Sequence, residues 1–202
     1  CVLNGATIAN EAAIKLARKY GWLKSQAEGS DKPRNVIVTL EKSFHGRTLA
    51  TLRATGQEKF HAPCFEPYPA GFRHIVAGDY ASLETAFDNT VCALMMECVQ
   101  GEGGVNLVDK EWAQVAATAA RKAGAIVICD EVQTGMGRTG ILLASQDLGV
   151  QPEIVTLAKG IAGGVPMGAC LWRGAVRDVF VAGDHQSTFG GNPLACAAGR
   201  AV

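Results

Sequence analysis

The chain predicts an α/β fold, a mainly parallel sheet with helices on both faces, and three observations carry that expectation. Short apolar runs recur along it, among them "NVIVTL", "VCALMM", "AIVIC", "EIVTLA" and "GACLW". Stretches with helical spacing alternate with these runs, as right-handed crossovers between parallel strands require. Hydrophobic residues make up 48% of the 202 positions, enough to bury a substantial core.

Taken in order, "CVLNGATIAN" reads as a strand-to-helix turn. From Ala9 to Lys24 the spacing places Ala9, Ala12, Ala13, Leu16, Tyr20 and Leu23 on one face, with Lys15, Arg18 and Lys19 largely opposite, which predicts an amphipathic helix. The polar "KSQAEGSDKPR" is an exposed loop before the strand "NVIVTL". After "FHGRT" comes an irregular stretch with Pro63, Pro67 and Pro69, then the run "RHIV", and Asp79 can cap a helix beginning near Tyr80. The second half is more regular: strand "VCALMM", a helix from about Asp109 to Lys122, then the strands "AIVIC", "EIVTLA" and "GACLW". "NPLACAAGRAV" reads as a helix cut short. With Cys1 rather than Met at the start, the sequence is read as an internal fragment.

Lysine plus arginine equals aspartate plus glutamate, 19 against 19, which gives no broad electrostatic footprint for nucleic acid or an anionic membrane. Small polar ligands are the expected partners. Seven cysteines show neither C-x-x-C nor a metal-binding spacing, and Cys92, Cys129 and Cys170 lie inside apolar runs. They predict buried thiols in a reducing compartment and no metal site. No apolar stretch approaches the length of a membrane span. A cytoplasmic location is expected, with an organellar leader on the parent chain left open.

In open sheets of this kind, ligands bind beyond the carboxyl ends of the strands. Three successive apolar runs end there in charge: "VCALMM" meets Glu97, "AIVIC" meets Asp130, and "EIVTLA" meets Lys159. Each alone is read most simply as a residue emerging into solvent. Together they place two carboxylates and an amine around one crevice, which suits a cofactor needing a covalent amine and a fixed negative charge. Pyridoxal phosphate has these requirements, together with a phosphate cradle at a helix N-terminus. "DEVQTGMGRTG" also holds a G-x-G-x-x-G in Gly135, Gly137 and Gly140, which keeps a Rossmann-like nucleotide-binding protein as an alternative of a different class. That alternative requires glycine directly after the strand and a helix opening on the third glycine. Here two carboxylates, which would repel a pyrophosphate, stand between strand and glycines.

"FHGRT", "ECVQGEGG", "DEVQTGMGRTG", "LAKG" and "STFGGNP", in this order and over nearly the whole chain, resemble the class III aminotransferases of fold-type I pyridoxal-phosphate architecture. The acetylornithine and succinylornithine branch is the nearest resemblance. It implies that residues 1–202 form an incomplete three-layer large domain that binds pyridoxal 5'-phosphate, with both parts of the small domain absent. It further implies Lys159 as the residue bonded covalently to the cofactor and Asp130 as the partner of its pyridine nitrogen. Val132 and Gln133 would contact the ring's other face and its hydroxyl, and Phe44 would stack on the ring. Arg47 resembles the arginine that receives a substrate carboxylate, and Glu102 an acid beside the substrate that pairs with an arginine. Ser187 and Thr188 match a pair reaching into a neighbouring subunit, where the threonine binds phosphate and the serine lies by the substrate, which implies a homodimer.

The family's phosphate-binding pattern N-S-G-[TA]-E-A-N stands here as "NGATIAN", with Gly5, Ala6 and Ile8 departing from it. Ala6 and Thr7 are the expected phosphate contacts. A left-handed turn at Ala6 would weaken binding, since alanine lacks the freedom of glycine there. The reaction implied moves the terminal amino group of N-acetylornithine, or a related acylated omega-amino acid, to 2-oxoglutarate, giving a semialdehyde and glutamate in arginine- or lysine-type biosynthesis. Ornithine and 4-aminobutyrate are the alternative donors. An aminomutase or decarboxylase would share Lys159 and Asp130; Arg47 and Glu102 favour a transaminase.

Overall fold

Seven short strands, most of them apolar, pair into one sheet in the computed structural model, which describes residues 1–202. The strands are β1 (Val2–Leu3), β2 (Val36–Leu40), β3 (Phe72–Ile75), β4 (Val91–Glu97), β7 (Ile126–Asp130), β8 (Ile154–Leu157) and β9 (Gly168–Trp172), in the order β1-β9-β8-β7-β4-β2-β3. Neighbours from β3 through β8 run parallel, while β9 is antiparallel to both β8 and β1. A two-stranded ribbon of β5 (Val99–Gln100) and β6 (Asn106–Leu107) stands apart from the sheet. The helices are α1 (Ala6–Ala27), α2 (Leu49–Ala54), α3 (Tyr80–Ala86), α4 (Lys110–Lys122), α5 (Ala144–Asp147) and α6 (Pro193–Ala201).

The period-two geometry of strands sorts side chains onto two faces. On one, Leu94 and Met96 of β4 and Val127 and Cys129 of β7 meet Trp112, Ala113 and Ala116 of α4. On the other, Ala93 and Met95, with Ile126 and Ile128, meet Ala9, Ala13 and Leu16 of α1. The three layers of helix, sheet and helix therefore agree with the expected class. Asp79 caps α3 through the Ala81 N–H at 3.0 Å, and Asp109 caps α4 through the Trp112 N–H at 2.8 Å. Each such cap satisfies a helix-end donor worth about 1 kcal/mol.

Helix α1 differs from expectation in two ways. It begins at Ala6, three residues before the predicted start, and its buried stripe rotates in the last turns: Leu23 is 40% exposed, while Gly21 and Ser25 are buried. The cause is close packing at Gly21, where an added Cβ would lie 2.1 Å from the Arg34 carbonyl oxygen and 2.6 Å from Cys92 Cβ. Only a residue without a side chain lets the helix approach the sheet that closely, and the approach fixes which face turns inward. All seven cysteines are free thiols, four of them buried. No helix is long and apolar enough to cross a membrane.

Candidate active site

A row of polar residues crosses the carboxyl end of the parallel strands. Glu97 of β4, Asp130 of β7 and Thr156 of β8 are successive Cα partners, so the three side chains share one face. Strand alternation assigns that face: Asp130 continues the Ile126–Ile128 side, toward α1. Glu131, the next residue, consequently points elsewhere. Its carboxylate accepts the N–H groups of Ser145 at 2.7 Å and Ala144 at 3.1 Å and the Thr134 hydroxyl. The two acids of "DEVQTGMGRTG" therefore have separate tasks, one facing the crevice and one tying the loop back on α5. That tie makes the segment a pinned loop rather than a free connector. No helix opens on Gly140, so the nucleotide-binding reading loses the element it requires.

Asp130 is 4% exposed and holds four donors. Oδ2 accepts from Asn10 Nδ2 at 2.7 Å and from His45 Nδ1 at 2.8 Å; Oδ1 accepts from the Val132 N–H at 3.1 Å and the Thr156 hydroxyl at 3.4 Å. Burial alone would push the His45 imidazole down, but its hydrogen bond to Asp130 and that carboxylate's charge outweigh burial and hold it above its ordinary range. The histidine is thus set to donate, with Nδ1–H directed at the carboxylate. Asn10 also donates to the His45 carbonyl at 2.7 Å, which locks the helix, loop and strand to one another.

Lys159 follows β8 in a left-handed conformation, φ 50°, one of four non-glycine residues with positive φ. Such a backbone costs about 1–3 kcal/mol and persists where its surroundings hold it, most often at functional sites. Burial draws its ammonium below the ordinary lysine range, against the opposing pull of Asp130 and Glu97. The lysine closes a cavity lined by Ala6, Thr7, Asn10, Phe44, His45, Gly46, Glu97, Asp130, Val132 and Gln133. A second cleft of ≈ 400 Å³, with Arg138 in its wall, shares Gln133 and Lys159 with it. A groove of ≈ 390 Å³ lined by Cys98, Leu107 and Leu148 lacks the strand-end residues.

One wall of the cavity is the start of α1. Gly5 is the N-cap and has extended backbone, no side chain caps the helix, and its first turn contains no acid. The Ala9 N–H is the first of the helix to find a backbone acceptor, the Gly5 carbonyl at 3.1 Å. Free amides and the positive end of the helix dipole suit an anion here. Ala6 is ordinary helix and is absent from the positive-φ residues, so the expected penalty for alanine at this position does not arise. Behind Gly5 stands Gly168 of β9, where a Cβ would lie 2.3 Å from the Gly5 carbonyl oxygen. Gly168→Ala is expected to cost about 1–3 kcal/mol by overpacking and to weaken anion binding at the helix end without touching the anion. Urea unfolding and titration with pyridoxal phosphate check both, and unchanged affinity would count against this cradle.

Of the residues expected from sequence, Ala6, Thr7, Phe44, Asp130, Val132, Gln133 and Lys159 line this one cavity. Arg47 lies next to it, its guanidinium 4.1 Å from the Phe60 ring centroid and 5.3 Å from that of Phe44. Glu102 is elsewhere, hydrogen-bonded to Gln57 and 4.0 Å from Lys59. Ser187 and the exposed Thr188 also lie outside the cavity, in the segment before α6. Asn10, His45 and Thr156 are missing from the expectation. Asn10 interrupts an alanine-rich helical stripe, and Thr156 is a hydroxyl in an otherwise apolar strand; both anomalies are visible in sequence. His45 carries no such signal beyond its place in "FHGRT".

Comparison with known proteins places this geometry. A family model described as aminotransferase class-III matches residues 1–202. The chain is 48% identical over 200 residues to the acetylornithine aminotransferase of Haemophilus ducreyi, covering 98% of this chain and 49% of that protein. It is 49% identical over 199 residues to the acetylornithine aminotransferase of Caldanaerobacter subterraneus subsp. tengcongensis, with the same coverage. Among solved structures, the ornithine aminotransferase of Toxoplasma gondii, crystallized with oxidized glutathione and described as having partial occupancy of PLP at its active site, superposes with a TM-score of 0.88. Its identity is 35%, and the match covers 98% of this chain and 47% of that one. The chain thus spans about half the length of the curated relatives it matches.

Proposed function

Because this chain belongs to the class III aminotransferases, we propose that it is the cofactor-binding part of a pyridoxal-phosphate enzyme that transfers the terminal amino group of N-acetylornithine, or a related acylated omega-amino acid, to 2-oxoglutarate. The products are a semialdehyde and glutamate. The observation that carries this reading is the opposition of Lys159 to the buried, four-fold hydrogen-bonded Asp130 across one cavity whose wall is an uncapped helix end.

The residues present fit the cofactor. A basic ring nitrogen calls for a fixed anion, an aldehyde carbon for an amine, and a phosphate for free amide donors; Asp130, Lys159 and the start of α1 supply the three. When bound, pyridoxal phosphate supplies an electron-accepting ring conjugated to the carbon that bears the migrating amino group. The chain's own residues do the rest. Asp130, pinned from two sides, keeps its carboxylate group aimed into the cavity. Phe44 and Val132 flank the cavity as apolar walls, and the Ala6 and Thr7 amides with the Thr7 hydroxyl hold the anion. Lys159 is the base that moves a proton at the substrate carbon, a role for which its lowered pKa suits it. The second cleft, opening beside Lys159, is the route for the amino donor.

Arg47 receives the donor's carboxylate. The Phe60 and Phe44 rings hold its guanidinium, and a planar fork held in that way can still present its edge to a carboxylate bidentately. Glu102, held by Gln57 and beside Lys59, exchanges these partners for an arginine when the donor is bound. Thr188, exposed and outside its own cavity, serves the phosphate of a second copy, with Ser187 near that copy's substrate, so the enzyme works as a homodimer. The 48% identity to an acetylornithine aminotransferase supports the choice of an acylated donor.

The test uses the full-length protein with pyridoxal phosphate. Borohydride is expected to fix the cofactor to the chain, with the adduct mapped to Lys159 by mass spectrometry. In single half-reactions, N-acetylornithine is expected to be consumed faster than ornithine or 4-aminobutyrate. A preference for either of the latter would reject the branch; nicotinamide binding without cofactor capture would reject the class.

A further inference from the structure

Two carboxylates stand side by side beneath the cavity. Glu97 and Asp130 are Cα partners in adjacent parallel strands, on the same face, 2% and 4% exposed. Strands in a sheet lie about 4.8 Å apart, and two like charges that close in a desolvated site cannot both be held without penalty. Their surroundings are unequal. Asp130 accepts from Asn10, His45, Val132 and Thr156. Glu97 accepts one bond, from the Phe44 N–H at 2.9 Å. Donors to a carboxylate favour its charged form, so the cluster's spare proton belongs on the carboxylate with fewer of them.

We propose that Glu97 is a positioning residue that takes up the proton the buried cluster gains as pH falls, so that Asp130 and His45 remain a charged pair. The groups facing it agree. From β7 Asp130 repels a second negative charge, while His45, from the loop after β2, and Lys159, after β8, attract it. Asn10 of α1 and Thr156 of β8 are neutral and already directed at Asp130. Glu131 is turned toward the amides of Ala144 and Ser145 and takes no part. Burial pushes the Glu97 carboxyl up to about 7; the His45 charge opposes burial, and Asp130 adds to it. The cluster therefore exchanges its proton at Glu97, one strand away from the carboxylate that faces the cofactor. The purpose given to that arrangement rests on the proposed role of Asp130; the proton's location does not.

The experiment is infrared difference spectroscopy of the full-length apoprotein through a pH series, with nitrogen-15 spectra of its histidines. A protonated-carboxyl band is expected to grow as pH falls through about 7 and to be lost in Glu97→Gln. In the wild type, the His45 resonances should show a step in the same range while Nδ1 keeps its proton, a readout that stands even if a variant fails to fold. Absence of the band in the wild type, its persistence in Glu97→Gln, or loss of the Nδ1 proton in that step would overturn the proposal. No cofactor is added, so these failures are distinct from a failure to capture pyridoxal phosphate.

Discussion

Lys159→Ala is expected to abolish borohydride-stable capture of pyridoxal phosphate and to lower turnover of the full-length enzyme by about 10⁴-fold or more, since positioned proton transfer alone contributes about 10²–10⁴-fold. The backbone makes this residue informative in a second way. At φ 50° the position is left-handed, a conformation that costs any residue with a Cβ about 1–2 kcal/mol relative to glycine. Alanine removes the amine but keeps that strain. Glycine removes both. Lys159→Gly is therefore expected to be as inactive as Lys159→Ala yet more stable by about 1 kcal/mol, measured as the difference in urea midpoint between the two variants. Equal stabilities would show that the strain is not there, and residual covalent capture in either variant would move the cofactor's attachment to another lysine.

Asp130→Ala is expected to damage folding as well as chemistry. It strands the buried imidazolium of His45 without its hydrogen-bonded anion and takes from Asn10, the Val132 N–H and Thr156 the acceptor they share. Breaking one partner out of a buried pair costs about 3–5 kcal/mol, a large share of the stability of an ordinary domain. Asp130→Asn keeps the shape and one acceptor oxygen, so its loss of stability is smaller while its loss of activity is comparable. Chemical denaturation of both variants, with cofactor affinity measured alongside, separates the two roles. An Asp130→Ala variant that unfolds at the wild-type midpoint would mean that the four contacts contribute nothing net.

The strands β2, β4, β7, β8 and β9 were the most legible part of the chain, because each is an apolar run whose ends are marked by charge or by turn residues; the short polar ribbon of β5 and β6 carries no such signal. Their legibility extended to the site: Glu97, Asp130 and Lys159 sit where three runs stop. Cross-strand register was not legible. Nothing local in "VCALMME" or "EIVTLA" says that Glu97 and Thr156 become the two neighbours of Asp130, because that pairing is set by packing between segments dozens of residues apart. The inward face of α1 failed for a similar reason: Leu23 fits the helical stripe, but contact at Gly21 turns the helix away from it. Arg47, Glu102, Ser187 and Thr188 lie outside the Asp130 cavity, because their place in the sequence motifs does not determine which wall of the fold they join.

The sequence separations within the polar row bear on how the molecule is made. Asn10 meets Asp130 across 120 positions, His45 meets it across 85, and Thr156 across 26. Contacts this far apart are the slow ones to form, because the intervening loops must be closed before any bond is gained. On the ribosome, Asp130 therefore emerges long after the histidine and asparagine that await it, and Thr156 later still. A chain that stops short of them lacks the acceptor and the amine that line the cavity. Competence for binding therefore waits on β8, which brings Thr156 and is followed by Lys159, and on β9, whose Gly168 backs the helix end at Gly5, and so reports that the central fold is complete.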